Sequence, residues 1–402
     1  MEYKFRQIFI GSREEAFSEF KKIGSTDEGA KIMADKFVSL AIRADGVQDR
    51  AVNILKQEML ARNGDVAVSK NVLYSSADKS DIIIFGSEKS IRNLTEKIKL
   101  QPFGLKAMSL ELEVFLNNLQ KNQSRNILKI SNKSFNLKNE TIIMGILNTT
   151  PDSFFDGGKY TNLKGACIKA DNIVMEGAHI VDIGGMSTRP GSRPASINDE
   201  IERTIPLINY IKNNHDILVS IDTCRSEVAE RAIEAGADII NDISGLVWDE
   251  KMKQVAAQSG AGLVLMHMRG TPENMQNNPV YDDVIGEIYD FFKTQTEAAV
   301  IAGVKRENII IDPGLGFGKK PEHNFKIIKE LSDFKSLGYP VLAGASRKSF
   351  TGLLLNLSPE DRLEGSLAAA VLCVINGADI LRVHDVKETV RAISIVKAVQ
   401  TI

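Results

Sequence analysis

Asn148, Asp182, Asp222, Asn241, His267, Asp312, Lys348, Arg382 and His384 each stand where a short apolar run stops. An apolar run needs no polar ending, so a whole series of them asks for a chemical reason. Asp222, Asn241 and Asp312 offer acceptors and an amide. That set suits a flat heterocycle with several N–H donors and a carbonyl, such as a guanine- or pterin-like ring. Arg189, Lys348, Arg382 and His384 are cations on the loops after such runs, where a phosphate or diphosphate would sit. Asn148 adds an oxygen ligand for Mg²⁺, which keeps waters and leans on substrate phosphates. Taken singly, several have plainer readings. Asp222 before Thr223 and Ser226 is also a helix cap, and Asp312 before Pro313–Gly314 a turn former. His267 between Met266 and Met268 reads as a packed histidine, and Asp242 is ambiguous.

The elements that must position these residues recur from Thr141 onward. The runs are IIMGIL, HIVDIG, ILVSI, ADII, AGLVLM, NIII, PVLAGA and ADIL, eight in all. Between them lie stretches with helical spacing, such as Ser226–Ala237 and Val284–Gly303. "EAGAD" at 234–238 and "NGAD" at 376–379 place a glycine at a helix C-terminus just before the next run. Continuous apolar strands alternating with helices imply a parallel sheet buried on both faces. Eight such units in roughly 275 residues predict an α/β fold, a (β/α)8 TIM barrel, whose site lies at the C-terminal ends of the strands. ILKISNKSFNL (127–137) predicts a hairpin that plugs the barrel's N-terminal mouth. Residues 1–125 form a separate small α/β or α+β accessory domain ahead of a barrel domain at 126–402. Within it, 35–44 and 51–60 read as helices, 81–87 as a strand, 87–99 as a helix and Leu110–Leu119 as a linker helix. No constellation of titratable groups marks it, so stability or association is its expected role.

Composition narrows the class. The 402 residues are 43% hydrophobic and 25% charged, with a net charge of −2, so no general affinity for nucleic acid is implied. Cys167, Cys224 and Cys373 are odd in number and lack C-x-x-C spacing. Neither a disulfide framework nor a zinc site is expected, and a reducing cytoplasm is. No apolar run is long enough to span a membrane. "GLGFG" (314–318) is not a dinucleotide fingerprint, and no phosphate-binding P-loop or nucleophile elbow occurs.

The loop "NTTPDSFFDGG" (148–158) carries Phe154 and Phe155 beside Asp152 and Asp156, an aromatic load that an ordinary surface turn does not need. Together with DIGGMSTRPGS (182–192), SIDT (220–223), NDISG (241–245), LMHMRGTPENMQ (265–276), DPGLGFGK (312–319), GASRKSF (344–350) and RVHD (382–385), it closely resembles dihydropteroate synthase. The resemblance runs from about residue 127 to the end and leaves residues 1–125 uncovered.

That resemblance implies condensation of (7,8-dihydropterin-6-yl)methyl diphosphate with 4-aminobenzoate. It implies that Asp222, Asn241, Asp312 and Lys348 hold the pterin in a slot shaped by Ile243, Met266, Phe317 and Gly344. Asn148, Thr188, Arg189, Arg382 and His384 would hold the diphosphate, with Mg²⁺ at Asn148. Phe154, Asp156, Thr188, Arg189 and Pro190 would finish the aminobenzoate site on two mobile loops, with Ser349 near the carboxylate. Asp312, Lys348, Arg382 and His384 would carry the catalysis, and a cytoplasmic homodimer acting on small molecules, with neither nucleic acid nor membrane as partner, is expected. Met186 stands where the family usually has Glu, Thr149 where it has Val, and Phe155 where it has Ser. Two rivals remain: a methyltetrahydrofolate methyltransferase-like pterin-binding barrel, which would not need the diphosphate set, and a non-catalytic pterin-binding scaffold.

Overall fold

The computed structural model describes residues 3–73, 78–124, 127–149, 159–186 and 195–400. The chain divides into two compact units, Met1–Asn117 and Asn118–Ile402, and the division falls inside helix Leu105–Ser124.

The first unit holds strands β1 (Ser39–Gln48), β2 (Asp65–Ala67) and β3 (Lys79–Ser87), antiparallel in the order β1-β3-β2. Helices Asp49–Leu60 and Glu88–Ile98 bury Val52, Leu55, Met59, Ile91, Leu94 and Ile98 against Ile82 and Ile84 of the sheet. These elements match the expected helices at 51–60 and 87–99 and the strand at 81–87. The helix expected over 35–44 is corrected: helix Asp27–Phe37 stops, and β1 runs in its place. Leu40, Ile42 and Ala44 fit a period of two as well as a helical cluster, and the ladder from Ser39↔Ser87 to Ala44↔Ile82 decides between them.

In the second unit, β4 (Ile127–Ile130) and β5 (Lys133–Asn136) form the hairpin. Eight parallel strands follow: β6 (Ile142–Asn148), β7 (Ile180–Gly184), β8 (Leu218–Asp222), β9 (Ile239–Asp242), β10 (Gly262–Met266), β11 (Ile309–Asp312), β12 (Leu342–Ala343) and β13 (Ile380–Val383). Their order is β11-β10-β9-β8-β7-β6-β13-β12, and the parallel bridge Ile311↔Val341 joins the two ends. This is the barrel.

Side chains alternate between its two faces. Ile143, Val181, Val219, Ile240, Leu263, Ile309, Val341 and Leu381 join the surrounding helices in one core. Their neighbours Ile142, Ile180, Leu218, Ile239, Val264, Ile310, Leu342 and Ile380 turn inward and meet Leu128, Ile130 and Phe135 of the hairpin. The hairpin therefore plugs the N-terminal mouth, and the next inward layer, toward the C-terminal ends, is polar.

The strand starts share a device. Gly236 and Gly377 adopt φ of +104° and +106°, ending a helix where a Cβ would be strained. Two residues on, Asp238 accepts the Val219 N–H at 2.9 Å and Asp379 the Val341 N–H at 2.8 Å. His179 follows Gly177 in the same way, and its Nδ1 accepts the Ile143 N–H at 3.0 Å. Each side chain thus satisfies the neighbouring strand's first free donor.

Because the second unit owns a core of its own, a fragment beginning at residue 118 is expected to unfold in one cooperative transition. Circular dichroism on heating checks this; a broad, shallow melt would mean that the first unit completes its fold.

Candidate active site

Two-residue alternation carries Asp182, Asp222, Asn241 and Arg382 into the barrel, since each is displaced by an even number of residues from an inward-facing apolar neighbour. Across the strands, Gly184 pairs with Asp222 and Asp222 with Asn241, while Met266 pairs with Asp312. The polar ends therefore form one ring. Asn148 ends β6 beside Gly184, where a Cβ would meet its Oδ1 at 3.1 Å.

Arg382 organises one side of the ring. Its Nε donates to Asp182 Oδ2 at 2.6 Å and its terminal nitrogen to Asp222 Oδ2 at 2.5 Å. Asn241 Nδ2 also points at the Asp182 carboxylate, 3.3 Å from both oxygens. Burial lowers the pKa of this guanidinium, but Asp182 and then Asp222 outweigh it and hold the value above the ordinary one. Burial pushes Asp222 up from the usual carboxylate range, and Arg382 partly offsets that. The buried pair is satisfied on both sides, as a buried charge must be.

Asp312 and Lys348 form the other side. Asp312 Oδ1 accepts the Gly314 N–H at 2.7 Å, so it is a turn former and an inward carboxylate at once. Burial pushes its pKa up to about 6, against the pull of the Gly314 N–H and of Lys348. Lys348 lies with Nζ 3.8 Å from the Phe317 ring centroid, a cation–π contact. Burial and then Arg382 bring this ammonium down to about 8. Phe317 packs with Ile243, Met266 and Met275, so the ring of polar groups borders an apolar wall. Gly344 lies beyond β12 beside Arg382: a Cβ added there would meet the Cβ of Arg382 at an ordinary contact distance of 3.8 Å. His384 accepts no formal charge here: burial first, then Arg382 and Lys348, lower its pKa to about 3. Its Nδ1 and backbone N–H both meet Ser346 Oγ at 3.1 Å.

The structure thus gathers Asn148, Asp222, Asn241, Ile243, Met266, Asp312, Phe317, Gly344, Lys348, Arg382 and His384 at the C-terminal end of the barrel. Ser349 lines an adjoining pocket with Gln276, Lys319 and Phe350. Asp242 and His267 belong elsewhere. Asp242 faces out and accepts the Ser244 and Leu246 N–H groups at 2.8 Å each, fixing the turn after β9. His267 packs edge-on against Phe291. Phe154, Phe155, Asp156, Thr188, Arg189 and Pro190 lie outside the described residues. Thr149 is held by Gly184 O, which accepts from its N–H at 2.9 Å and its hydroxyl at 3.1 Å. Met186 follows Gly185, whose carbonyl accepts from Arg203 at 3.1 Å.

Two residues had no assigned role from the sequence. Asp182 is fully buried between Arg382 and Asn241; the signal was a carboxylate inside an apolar run, which demands a buried cation. Lys319, at the end of DPGLGFGK, is likewise buried, and no periodicity pointed to it.

Comparison with known proteins agrees with this geometry. The family described as pterin binding enzyme matches residues 144–384. A dihydropteroate synthase of Synechocystis sp. is 48% identical over 261 residues, 65% of this chain and 90% of its own length. The solved structure of Xanthomonas albilineans dihydropteroate synthase with 4-aminobenzoic acid superimposes with a TM-score of 0.65 at 39% identity, covering 69% of this chain and 99% of that one. A probable bifunctional folylpolyglutamate synthase/dihydropteroate synthase of Halobacterium salinarum is 37% identical over 397 residues, 99% of this chain and 47% of its own length. The chain belongs to the dihydropteroate synthase family of pterin binding enzymes.

Proposed function

We propose that the barrel condenses (7,8-dihydropterin-6-yl)methyl diphosphate with 4-aminobenzoate, giving dihydropteroate and diphosphate for folate biosynthesis. The observation that carries this is the inward ring of Asp222, Asn241, Asp312 and Lys348 bordered by Ile243, Met266 and Phe317, with Arg382 and His384 beside it. Acceptors for an amidine edge and cations for a diphosphate stand together, as the two halves of one substrate require. The reaction forms a C–N bond to the aromatic amine and breaks the C–O bond to diphosphate; the proton leaves from the amine nitrogen to solvent or diphosphate. A dissociative path places positive charge on the pterin methylene and ring, which ionised Asp312 stabilises. Arg382 stabilises the departing anion. His384, neutral, contributes a hydrogen bond rather than a charge. The amine is neutral near pH 7, so no strong base is required.

Mg²⁺ fits this site only as a partner of the substrate. Among the described residues no three His, Cys, Asp or Glu gather as a metal site. Asn148 offers one oxygen at the mouth, beside the carboxylates of Asp182 and Asp222 that Arg382 already engages. Asn148 would hold the ion together with diphosphate oxygens and water, and the ion would act as Lewis acid and template.

The expected homodimer is supported by neighbouring helices Ser349–Leu355 and Leu363–Ile375, which leave Leu353, Leu354, Leu372 and Ile375 exposed. Cytoplasmic placement is supported by three free cysteines. Among the described residues no helix is long and apolar enough to cross a membrane.

Diphosphate release measured with and without 4-aminobenzoate tests the function. Release that depends on the amine is expected; none in either case would leave the non-catalytic scaffold, and a pterin-dependent methyl transfer would favour the methyltransferase-like rival. The aromatic loop carries a further prediction. Phe154, with Thr188, Arg189 and Pro190, would close the aminobenzoate site once Mg²⁺ and diphosphate bring Asp152 and Asp156 into register with Arg189. Titrating 4-aminobenzoate into protein holding a pterin analogue should then give at least roughly tenfold tighter binding with Mg²⁺-diphosphate than without. Equal affinities would sink the ordered closure.

A further inference from the structure

Behind the apolar wall of the site lies a buried lysine that the proposed mechanism does not use. Lys319 Nζ reaches four acceptors: His267 Nδ1 at 3.0 Å, His267 O at 3.2 Å, Gly314 O at 3.0 Å and Phe317 O at 3.0 Å. The first two belong to the loop after β10 and the others to the loop after β11. Both loops come close enough only because of glycine. Gly314 has φ +68°, and a Cβ there would sit 2.0 Å from His267 O; Gly318 has φ +62°, and its Cβ would lie 2.3 Å from Arg269 O. No side chain fits at either point.

An ammonium has three N–H groups, and in a buried cage it persists only when they are all answered. Here carbonyls and an imidazole nitrogen that must stay unprotonated answer them, while burial, partly offset by Asp312, brings the Lys319 ammonium down to about 7. Burial, then the charges of Lys319 and Arg269, hold His267 well below its usual pKa, which keeps that nitrogen free. The carbonyl of Phe317 is one of the four acceptors, and its ring is the surface on which Lys348 rests. Asp312 begins the same turn and binds Gly314 N–H, while Gly314 O is another acceptor. One side-chain nitrogen therefore holds the turn that carries both Asp312 and Phe317.

We infer that Lys319 is a positioning residue for the heterocycle: by tying the loops after β10 and β11 it fixes the Phe317 ring, and through it Lys348, where the pterin binds. This rests on the functional reading above. The Lys319 nitrogen is turned to His267 and the loop carbonyls, so its effect on the site runs through the turn.

The test compares Lys319→Met and Lys319→Gln with the unaltered chain. For a folded variant, calorimetry with a pterin analogue should show affinity lowered about 10- to 100-fold. Amide hydrogen exchange should speed up at 266–270 and 312–319 and not in the remaining strands. In a Phe317→Leu background the same Lys319 change should cost much less affinity, because the ring it positions is gone. Unchanged pterin affinity in a folded variant, or full additivity with Phe317→Leu, would overturn the inference. Failure of both variants to fold would overturn it too, assigning Lys319 to stability alone. Analogue binding and exchange need no turnover, so they stand apart from whether the unaltered chain releases diphosphate.

Discussion

Replacing Asp312 with Asn is expected to lower kcat by about 10²–10³, the scale of losing one preorganised electrostatic partner of the transition state. The change keeps shape and leaves an oxygen for the Gly314 N–H, so the turn after β11 survives. What is lost is the negative charge beside the developing cation. The pH profile separates this from a structural effect. Burial holds the Asp312 pKa at about 6 in the free protein, so kcat/KM of the unaltered protein should rise as pH climbs through about 6. In Asp312→Asn that inflection should vanish. Stability should move the opposite way. The folded pKa lies above the unfolded value of roughly 3.9, so the folded state binds more protons between the two. The empty protein therefore loses stability as pH rises from about 4 to about 6, by a difference of about two units or roughly 3 kcal/mol. Asp312→Asn escapes that loss and should melt at or above the unaltered protein's temperature at pH 8. A variant with near-normal kcat would return Asp312 to the status of a turn residue.

Arg382→Met is expected to be the more damaging change, in both stability and turnover. It strands Asp182 and Asp222, which lie in the barrel interior and share this guanidinium. Breaking a buried ion pair by removing one partner costs about 3–5 kcal/mol, which for a unit of this size lowers the melting temperature by roughly 10 °C. Without its cation Asp222 rises further above its unfolded pKa, so the variant loses more stability as pH increases. Its deficit should be largest near pH 8 and shrink toward pH 5, where protonation removes the need for a cation. Diphosphate release should fall by at least about 10³, since the leaving group loses its principal cation in a water-poor site. Differential scanning calorimetry across pH and a release assay check the two halves separately. A deficit that stays flat with pH would mean that Asp222 is not the group being answered.

The sequence by itself determined which residues end the eight apolar runs, and that a plug precedes them, because both are local patterns of polarity and length. It also determined that Asp222, Asn241 and Asp312 carry acceptors while Lys348 and Arg382 carry charge. Whether a strand-end residue faces the site is a matter of parity, and parity becomes legible only when strands pair. Asn241 and Asp242 are adjacent in the chain, yet one enters the barrel and the other caps a turn among the helices. Asp312 satisfied both of its sequence readings, because an Asx turn uses one carboxylate oxygen and leaves the other facing inward. Strand β1 was ambiguous for a related reason: its apolar spacing suits two periods, and only the long-range ladder to β3 selects one. Asp182 and Lys319 were hidden most deeply. A buried charge is tolerated only beside partners that fold brings from far along the chain, Arg382 for the one and the carbonyls of two loops for the other. A carboxylate among apolar residues marks Asp182 as in need of a cation, but which cation answers it has no local signature, since the desolvation that demands the partner does not exist until the barrel has closed.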